Sequence, residues 1–216
     1  QKVVENTVLL FTTDNGCSPA ARIPGLIEKG HKPNADWRGH KADIYEGGHR
    51  VPFLVRWPER VEANSSCDLT ICTTDFFATV AEILGNNGQE FPQNAAEDSF
   101  SFLGALDQPT RSTPTRPYTI HHSINGSFAI RKGLWKLCLC PGSGGWSNPR
   151  PAQALKDEGL APVQLFHLGA DPSERRNLQS EYPEVVQDLV EDLHHAIKNG
   201  RSNSGLPCKN EGWPGT

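Results

Sequence analysis

The sequence predicts an α/β fold in its first half, followed by a small four-stranded antiparallel sheet packed on a C-terminal helix. Three observations support this prediction. The short apolar run 8–11 ends in turn residues, which is typical of a buried strand in a parallel sheet. Four short strand-like segments lie between residues 118 and 168, and turn residues separate the first segment from the second and the second from the third. A long amphipathic segment begins at Pro183 and stops before Gly200, as a helix would.

The first half contains two strand candidates and one helix candidate. The run 8–11 is too short for a helix, and 51–57 is a second, mostly apolar segment. We expect both strands to be buried. Thr74 and Asp75 are expected to cap a helix over about 76–84, because an Asp at a helix start accepts bonds from unpaired amides. Its apolar side chains at helical spacing are Phe76, Phe77, Val80 and Leu84.

The second half contains the strand candidates of the antiparallel sheet. Asn125-Gly126 and Lys132-Gly133 fit tight hairpin turns between them. The helix predicted from Pro183 to Asn199 has an apolar side, which we expect to cover the sheet. The four strand candidates are 118–122, 127–131, 134–140 and 163–168. The apolar side of the helix consists of Val185, Val186, Leu189, Leu193 and Ile197.

The stretch 86–116 is rich in Pro, Asn and Asp and is predicted to be a long surface connection. We therefore expect a boundary near residue 110. A first α/β domain would cover residues 1–110, the sheet and helix would form a subdomain over 111–205, and 206–216 would be a tail.

Composition excludes several classes of protein. With 25 acidic and 21 basic residues the net charge is −4, and no basic patch stands out, which argues against a nucleic-acid binder. No apolar run approaches the roughly 18 residues that a membrane-spanning helix needs. The chain contains no methionine, so we expect that it was cut or processed from a longer product.

The chain has six cysteines, an even number that permits disulfides without requiring them. No C-x-x-C pair occurs, which argues against a zinc ribbon or a thioredoxin-type site. Cys138 and Cys140 lie two apart in a strand candidate, so both side chains should point to one face. Buried or disulfide-linked thiols are favoured there, and a thiolate pair for a metal is the alternative.

Asp14 and Asn15 directly follow the first strand candidate. Open α/β sheets bind ligands beyond the carboxyl ends of their strands, and a carboxylate beside an amide oxygen offers hard ligands to Ca²⁺ or Mg²⁺. The alternative is an ordinary Asx turn that closes the strand. Two ligands are too few for either cation, so the others would have to come from elsewhere.

Lys41 lies in a segment rich in Gly and His, residues 38–50. An amine beside glycines, which let a backbone approach closely, suits an oxyanion, and a solvated surface lysine is the alternative. In the same segment Glu46 and Arg50 flank a glycine pair. We interpret them as a buried ion pair that holds an unusual backbone path.

Two further segments receive no catalytic assignment. His121 and His122 are adjacent in a strand candidate, so only one of them can face a given side. The glycine-rich stretch 141–145 lacks the Lys-Ser/Thr sequence that opens the helix of a P-loop, and it is interpreted as a flexible loop.

Taken in order, these segments resemble the C-terminal half of the type I sulfatases, the arylsulfatase family, within the alkaline-phosphatase-like fold. The resemblance spans roughly residues 5–200, and the order and spacing of separate blocks make it specific. These blocks are F-T-T-D-N-G at 11–16, K-A-D-I-Y-E-G-G-H-R-V-P at 41–52, T-D at 74–75, I-R-K-G-L-W-K-L at 130–137, L-F-H-L at 165–168 and D-P-S-E-R-R-N-L at 171–178.

The resemblance implies a sulfuric ester hydrolase. Asp14 and Asn15 would be the second pair of ligands to a divalent cation, Ca²⁺ or alternatively Mg²⁺. Lys41 would contact the sulfate and help to neutralise charge as the ester oxygen leaves. The family's nucleophile is a formylglycine made in a C/S-x-P-x-R segment. The sequence departs from the family here, because the segment from Cys17 to Arg22 has the wrong spacing and follows the metal pair instead of preceding it. The first pair of aspartate ligands is absent as well.

We therefore expect the chain to be the C-terminal part of a sulfatase that is inactive by itself. Its expected partners are a sulfate-ester substrate and the missing N-terminal part, with no nucleic acid and no membrane span. A cut through a shared sheet should leave an apolar face exposed, which predicts self-association or pairing with the missing part. Export to the periplasm or out of the cell follows from the resemblance alone.

Two alternatives stay open. The first is a phosphatase or phosphodiesterase of the same superfamily, which the position of Lys41 disfavours, because such enzymes often have a metal-binding Asp-His there. The second is a binding or assembly module, in which the C-terminal sheet and helix carry no chemistry.

Overall fold

The computed structural model describes residues 3–86, 95–157 and 159–208. These residues form two compact units, each built from segments that are distant in sequence. The described parts of Gln1–Leu9, Val55–Thr119 and Val190–Thr216 make up one unit, and those of Leu10–Leu54 and Ile120–Leu189 make up the other. The domain boundary near residue 110 stays a prediction.

The described residues form short strands and mostly short helices. The strands are β1 (Leu9–Thr12), β2 (Phe53–Arg56), β3 (Thr119–His122), β4 (Phe128–Lys132), β5 (Trp135–Cys138) and β6 (Gln164–His167). The helices are α1 (Ile23–Glu28), α2 (Glu46–His49), α3 (Asp75–Ile83), α4 (Leu103–Asp107), α5 (Pro151–Ala154) and α6 (Pro183–Asn199), with a 3₁₀ turn at Pro19–Ala21. None of the described helices is both long enough and apolar enough to cross a membrane.

Strands β3 to β6 form the predicted four-stranded sheet, in the order β3-β4-β5-β6. Strands β4 and β5 are antiparallel and meet in a tight hairpin in which Lys132 pairs with Trp135. Strand β6 continues the antiparallel pattern along β5. Gly126 and Gly133, the glycines of the two predicted hairpin turns, have φ angles of +84° and +59°. Residues with a Cβ disfavour such positive angles, whereas glycine adopts them freely. The prediction of this sheet is confirmed.

The core beside this sheet includes two residues from far upstream, Ile44 and Tyr45, which immediately precede α2. Both side chains are fully buried. Packing of the sheet therefore fixes the backbone between Lys41 and the Gly47-Gly48 pair. The whole cluster consists of Ile44, Tyr45, Ala129, Cys138, Cys140, Phe166 and Leu168.

Cys138 and Cys140 are buried in this core as free thiols. Burial raises the pKa of both thiols. The neutral thiol is therefore favoured over the thiolate that a metal site would need. Cys17, Cys67 and Cys72 are also free thiols in the structure.

Strands β1 and β2 form a separate two-stranded sheet at the predicted positions. Several of their apolar side chains, however, are exposed to solvent. Leu9, Phe11 and Leu54 are each more than half exposed. The expectation of two buried strands is thus not met within this chain, because nothing in the described residues covers these side chains.

Helix α3 has the predicted position but buries the opposite face. Phe77 and Leu84 are exposed, whereas Asp75 and Thr79 are buried. The reason is a set of polar contacts on the inner face. The Asp75 carboxylate pairs with buried Arg116 at 2.8 Å and accepts the backbone N–H of Cys72 and Phe100, and such bonds outweigh the apolar periodicity in setting the orientation of the helix.

The predicted surface connection 86–116 is partly structured, because it contains α4. Phe102 and Leu103 are buried there, and the Phe102 N–H donates to the Thr79 hydroxyl at 3.1 Å. The interpretation of this part as a surface loop was therefore wrong. Residues 87–94 of the connection, and 209–216 of the predicted tail, lie outside the described residues.

Helix α6 spans Pro183–Asn199, as predicted. Leu189 and Leu193, two members of the predicted apolar side, are almost fully buried. Ala196 is buried as well. Packing of this helix against the sheet stays a prediction.

Candidate functional site

The turn after β1 presents the two predicted metal ligands. Asp14 is exposed and Asn15 is half-buried. The Asn15 amide nitrogen donates to the Gly16 carbonyl at 3.1 Å, and the Thr13 hydroxyl donates to the Asn15 carbonyl at 3.1 Å. These bonds leave the side-chain oxygens of both residues unused by the described part of the chain, so the donor set fits a hard cation.

The described residues offer only a minority of the ligands that a cation site needs. No group of three or more His, Cys, Asp or Glu side chains placed to hold a metal occurs among residues 3–86, 95–157 and 159–208. Ca²⁺ takes six to eight oxygen ligands. The Asp14-Asn15 turn can therefore contribute to such a site but does not complete one.

Backbone hydrogen bonds join this turn to the segment that carries Lys41. The Gly16 N–H donates to the Gly48 carbonyl at 2.9 Å, and the Lys41 N–H donates to the Cys17 carbonyl at 3.0 Å. Lys41 itself is half-buried. Two of the predicted site segments, widely separated by a loop, thus lie side by side.

Close backbone contact explains the glycines of this region. A Cβ on Gly16 would overlap the Gly47 carbonyl group, and a Cβ on Gly47 would overlap the carbonyl oxygens of Arg38 and Gly39. A Cβ on Gly48 would overlap the Asp43 carbonyl in the same way. The Gly47-Gly48 pair therefore allows α2 to pack directly on the backbone around Lys41.

A buried ion cluster connects α2 to the antiparallel sheet. Glu46, Lys136 and Glu174 are fully buried. The Lys136 ammonium lies 3.0 Å from Glu46 Oε1 and 2.8 Å from Glu174 Oε1, and Glu174 Oε2 accepts the Glu46 N–H at 2.6 Å. Arg131 and Arg50 add longer contacts to Glu46 at 3.3 and 3.4 Å. The ion pair predicted between Glu46 and Arg50 is thus present, but it is buried only on the Glu46 side, because the Arg50 side chain is 42% exposed. It belongs to a larger cluster that sequence reasoning missed.

Opposite charges offset the cost of burial at Glu46 and Lys136. Burial alone would disfavour every charge in it, but Lys136 and Arg131 hold the pKa of Glu46 below its usual value. Burial also opposes the charge on Lys136, yet Glu46 and Glu174 outweigh it and raise the pKa of the ammonium. Burial raises the pKa of Glu174, the carboxylate with fewer cationic neighbours.

Two histidine rings stack beside this cluster. The centroids of His49 and His121 are 3.6 Å apart, and His49 Nε2 lies 3.1 Å from the Lys136 ammonium. His121 Nε2 contacts the Ile44 carbonyl at 3.2 Å and donates to it. Burial, aided by Lys136, lowers the pKa of His121 to about 3 and holds that of His49 well below its usual value. Both rings are therefore neutral near pH 7.

A second buried carboxylate, Asp43, lies two residues after Lys41. It accepts the backbone N–H groups of Trp146 and Ser147 at 2.8 and 3.0 Å and that of His40 at 2.9 Å. The glycine-rich stretch 141–145, which leads into Trp146 and Ser147, is mostly buried, so its interpretation as a flexible loop was wrong. In the sequence, Asp43 is a single Asp between apolar residues. Its spacing from other residues did not indicate which groups it would contact.

The chain matches known proteins along almost its whole length. Residues 1–86 match the family model described as Sulfatase. An N-acetylgalactosamine-6-O-sulfatase of Bacteroides thetaiotaomicron is 34% identical over 201 residues, which cover 89% of this chain and 36% of that protein. The steryl-sulfatase of Mus musculus is 25% identical over 93% of this chain and 33% of its own length.

Solved structures show the same relationship. A structure from a study of glycosaminoglycan metabolism by Bacteroides thetaiotaomicron superposes with a TM-score of 0.72 and 33% identity, over 90% of this chain and 39% of that one. A sulfatase from Pseudoalteromonas sp. is 22% identical with a TM-score of 0.65, which is a likeness of fold alone. This chain spans roughly a third of the length of the relatives that it matches.

The neutral histidine pair predicts a dependence of stability on pH. An unfolded histidine titrates near 6.5, whereas His121 titrates at about 3 in the fold. The unfolded chain therefore binds more protons between these values, and the free energy of unfolding falls as pH drops from about 6.5 towards 3. We expect His121→Asn, which removes this group, to lose less stability than the wild type when urea unfolding is compared at pH 7 and pH 4.

Each group that faces His121 from the packed elements, namely Glu46, His49, His122 and Lys136, remains in the variant. His194→Asn, on the exposed side of α6, serves as the control and should follow the wild type. Equal loss of stability in His121→Asn and the wild type would contradict a neutral buried His121.

Proposed function

The chain carries the C-terminal part of the sulfatase fold, and from this premise we propose that it supplies half of the active site of a sulfuric ester hydrolase. The observation that carries the proposal is the hydrogen bond from the Lys41 N–H to Cys17, two residues after the Asp14-Asn15 turn. It holds the backbone of Lys41 beside the turn that carries two hard oxygen ligands, and an ammonium group together with a cation suits a negatively charged sulfate ester.

In the proposed mechanism, Lys41 binds a sulfate oxygen and stabilises the negative charge that builds on the ester oxygen as it leaves. A fixed ammonium is effective because it needs no rearrangement when that charge develops. Asp14 and Asn15 would hold the divalent cation, Ca²⁺ or Mg²⁺, through their side-chain oxygens. When bound, such a cation polarises the sulfate group.

The rest of the active site would come from a preceding part of the same protein. We propose that this part supplies the formylglycine nucleophile and the remaining metal ligands. It would also cover the exposed apolar side chains of Leu9, Phe11 and Leu54, which lie on the two strands that lead into and out of the site. Without that cover, the 216-residue chain would be inactive and prone to self-association.

A sulfated sugar is the proposed substrate class. Its support is the 34% identical relative, whose name specifies an N-acetylgalactosamine 6-O-sulfate ester. The relatives described above are sulfatases, which favours a sulfate ester over the phosphate ester of the alternative hypothesis. We also propose export from the cytoplasm, on family resemblance alone.

The proposed role of Lys41 predicts a large catalytic effect. In the full-length protein, Lys41→Ala should lower kcat for a sulfate ester by about 10²- to 10³-fold, because a preorganised group at the developing charge is lost. Lys29→Ala, an exposed lysine after α1, is the matched control and should retain wild-type turnover. Near-normal kcat in purified Lys41→Ala would exclude the assigned role.

The proposed metal role of Asp14 predicts weaker retention of a divalent cation. After dialysis of the full-length protein against a chelator, Asp14→Asn should keep less Ca²⁺ or Mg²⁺ per chain than the wild type, because a charged oxygen ligand becomes neutral. Elemental analysis measures this directly. Asp68→Asn, another exposed aspartate, should match the wild type. Identical metal content in Asp14→Asn and the wild type would rule out the assignment.

A further inference from the structure

We propose that Asp43 is a positioning residue for Lys41, and that it acts by fastening the loop Ser143–Ser147 to both sides of that lysine. The inference rests on the proposed role of Lys41 in sulfate-ester cleavage. It adds a residue that neither touches the sulfate nor binds a metal, but fixes the place from which the ammonium group reaches the reacting oxygen.

Asp43 is 3% exposed, and its carboxylate accepts four hydrogen bonds. One comes from the His40 N–H, on the N-terminal side of Lys41, at 2.9 Å. The Trp146 and Ser147 N–H groups donate at 2.8 and 3.0 Å, and the Ser147 hydroxyl donates as well. One buried side chain thus ties the residue before Lys41 to a loop about 100 positions downstream.

The backbone between Lys41 and Asp43 is held in an uncommon conformation. Ala42 has a φ of +85°, a backbone angle that residues other than glycine rarely adopt. Its carbonyl accepts the Ile124 N–H at 3.0 Å, and the Ile44 N–H donates to the Ser143 carbonyl at 2.8 Å. Gly145 packs so closely on the Ala42 carbonyl that a Cβ would overlap it. A strained conformation persists only where its surroundings enforce it, and these loops enforce it here.

Lys41 is also held on its other side. Its N–H donates to the Cys17 carbonyl at 3.0 Å, and His40 Nδ1 contacts the Lys41 carbonyl at 3.0 Å. The lysine backbone is therefore fixed between the Asp14-Asn15 turn and the Ser143–Ser147 loop. Release of the loop side would let Ala42 relax and would shift the ammonium relative to the metal turn.

The chemistry of Asp43 suits this task because an ionised carboxylate only accepts hydrogen bonds. All four of its partners are donors. An asparagine has the same shape but turns one oxygen into an NH₂ group, which faces other donors and cannot accept from them. Asp43→Asn therefore removes some of the hydrogen bonds that Asp43 accepts, which we call the Asp43 clamp, without leaving a cavity.

A misplaced Lys41 has a specific kinetic consequence. If the ammonium stabilises charge on the leaving oxygen, its misplacement harms esters of weakly acidic alcohols, such as sugars, more than esters of acidic phenols, such as 4-nitrophenol. A merely structural role of Asp43 would reduce the amount of active protein and slow all substrates by the same factor.

The experiment uses the full-length protein and compares kcat and KM for a series of aryl sulfates and a sulfated N-acetylhexosamine. In Asp43→Asn we expect kcat to fall about tenfold for 4-nitrophenyl sulfate and about 100-fold for the sugar sulfate, the range seen for small misplacements of catalytic groups. KM should change little. Asp36→Asn, an exposed aspartate of a nearby loop, is the control and should leave both values unchanged.

A double variant tests whether Asp43 acts through Lys41. Asp43→Asn combined with Lys41→Ala should be no slower than Lys41→Ala alone, because a group that is absent cannot be positioned. Multiplied effects, or equal slowing of all substrates by Asp43→Asn, would overturn the inference while leaving the role of Lys41 intact. An inactive wild type, or a fully active Lys41→Ala, would instead overturn the proposed function.

If Asp43→Asn does not fold, Ser147→Ala decides the question. It removes one donor to Asp43 and retains the two backbone N–H groups from the loop. The same graded loss with leaving-group acidity is expected, at smaller size. A uniform effect, or none, in a well-folded Ser147→Ala would count against the Asp43 clamp.

Discussion

A buried lysine between two buried carboxylates is the interaction on which this part of the molecule depends. Lys136 emerges from the middle of the antiparallel sheet and meets Glu46 at the start of α2 and Glu174 in a loop after β6. Removal of one partner from such a cluster leaves an uncompensated charge in a dry interior, which typically costs about 3–5 kcal/mol. The arrangement therefore fixes where α2 lies on the sheet, whatever it contributes to net stability.

The position of α2 then determines the geometry of the site. The Gly47-Gly48 pair lets α2 approach the backbone around residues 38–43, and Gly48 receives the hydrogen bond from Gly16 behind the Asp14-Asn15 turn. Asp43 fastens the same stretch to the loop Ser143–Ser147. The groups proposed to act on the substrate are thus held by buried side chains behind them, and in the proposed enzyme the C-terminal sheet would keep the site in shape.

Local patterns predicted the parts of this structure that local forces set. The hairpin glycines, the limits of α6 and the turn after β1 could all be found from the sequence. The burial of α3 could not, because its inner face is chosen by the contact of Asp75 with Arg116, 41 positions away. Lys136 and Asp43 were missed for the same reason. A single charged residue in a strand or loop looks like a solvated one until its distant partners are known.

Amide hydrogen exchange of Lys136→Met tests most directly whether Lys136 holds the site segment. Methionine fills the space without the charge, so the sheet should keep its protection while the amides of Gly47 and Arg50, which bond to the Arg38 and Glu46 carbonyls, exchange faster than in the wild type. Leu193→Ala, a core variant of the other compact unit, is the comparison and should leave these two amides protected relative to their neighbours. Unchanged exchange at Gly47 and Arg50 in Lys136→Met, or an equal loss of protection across the sheet, would contradict the account.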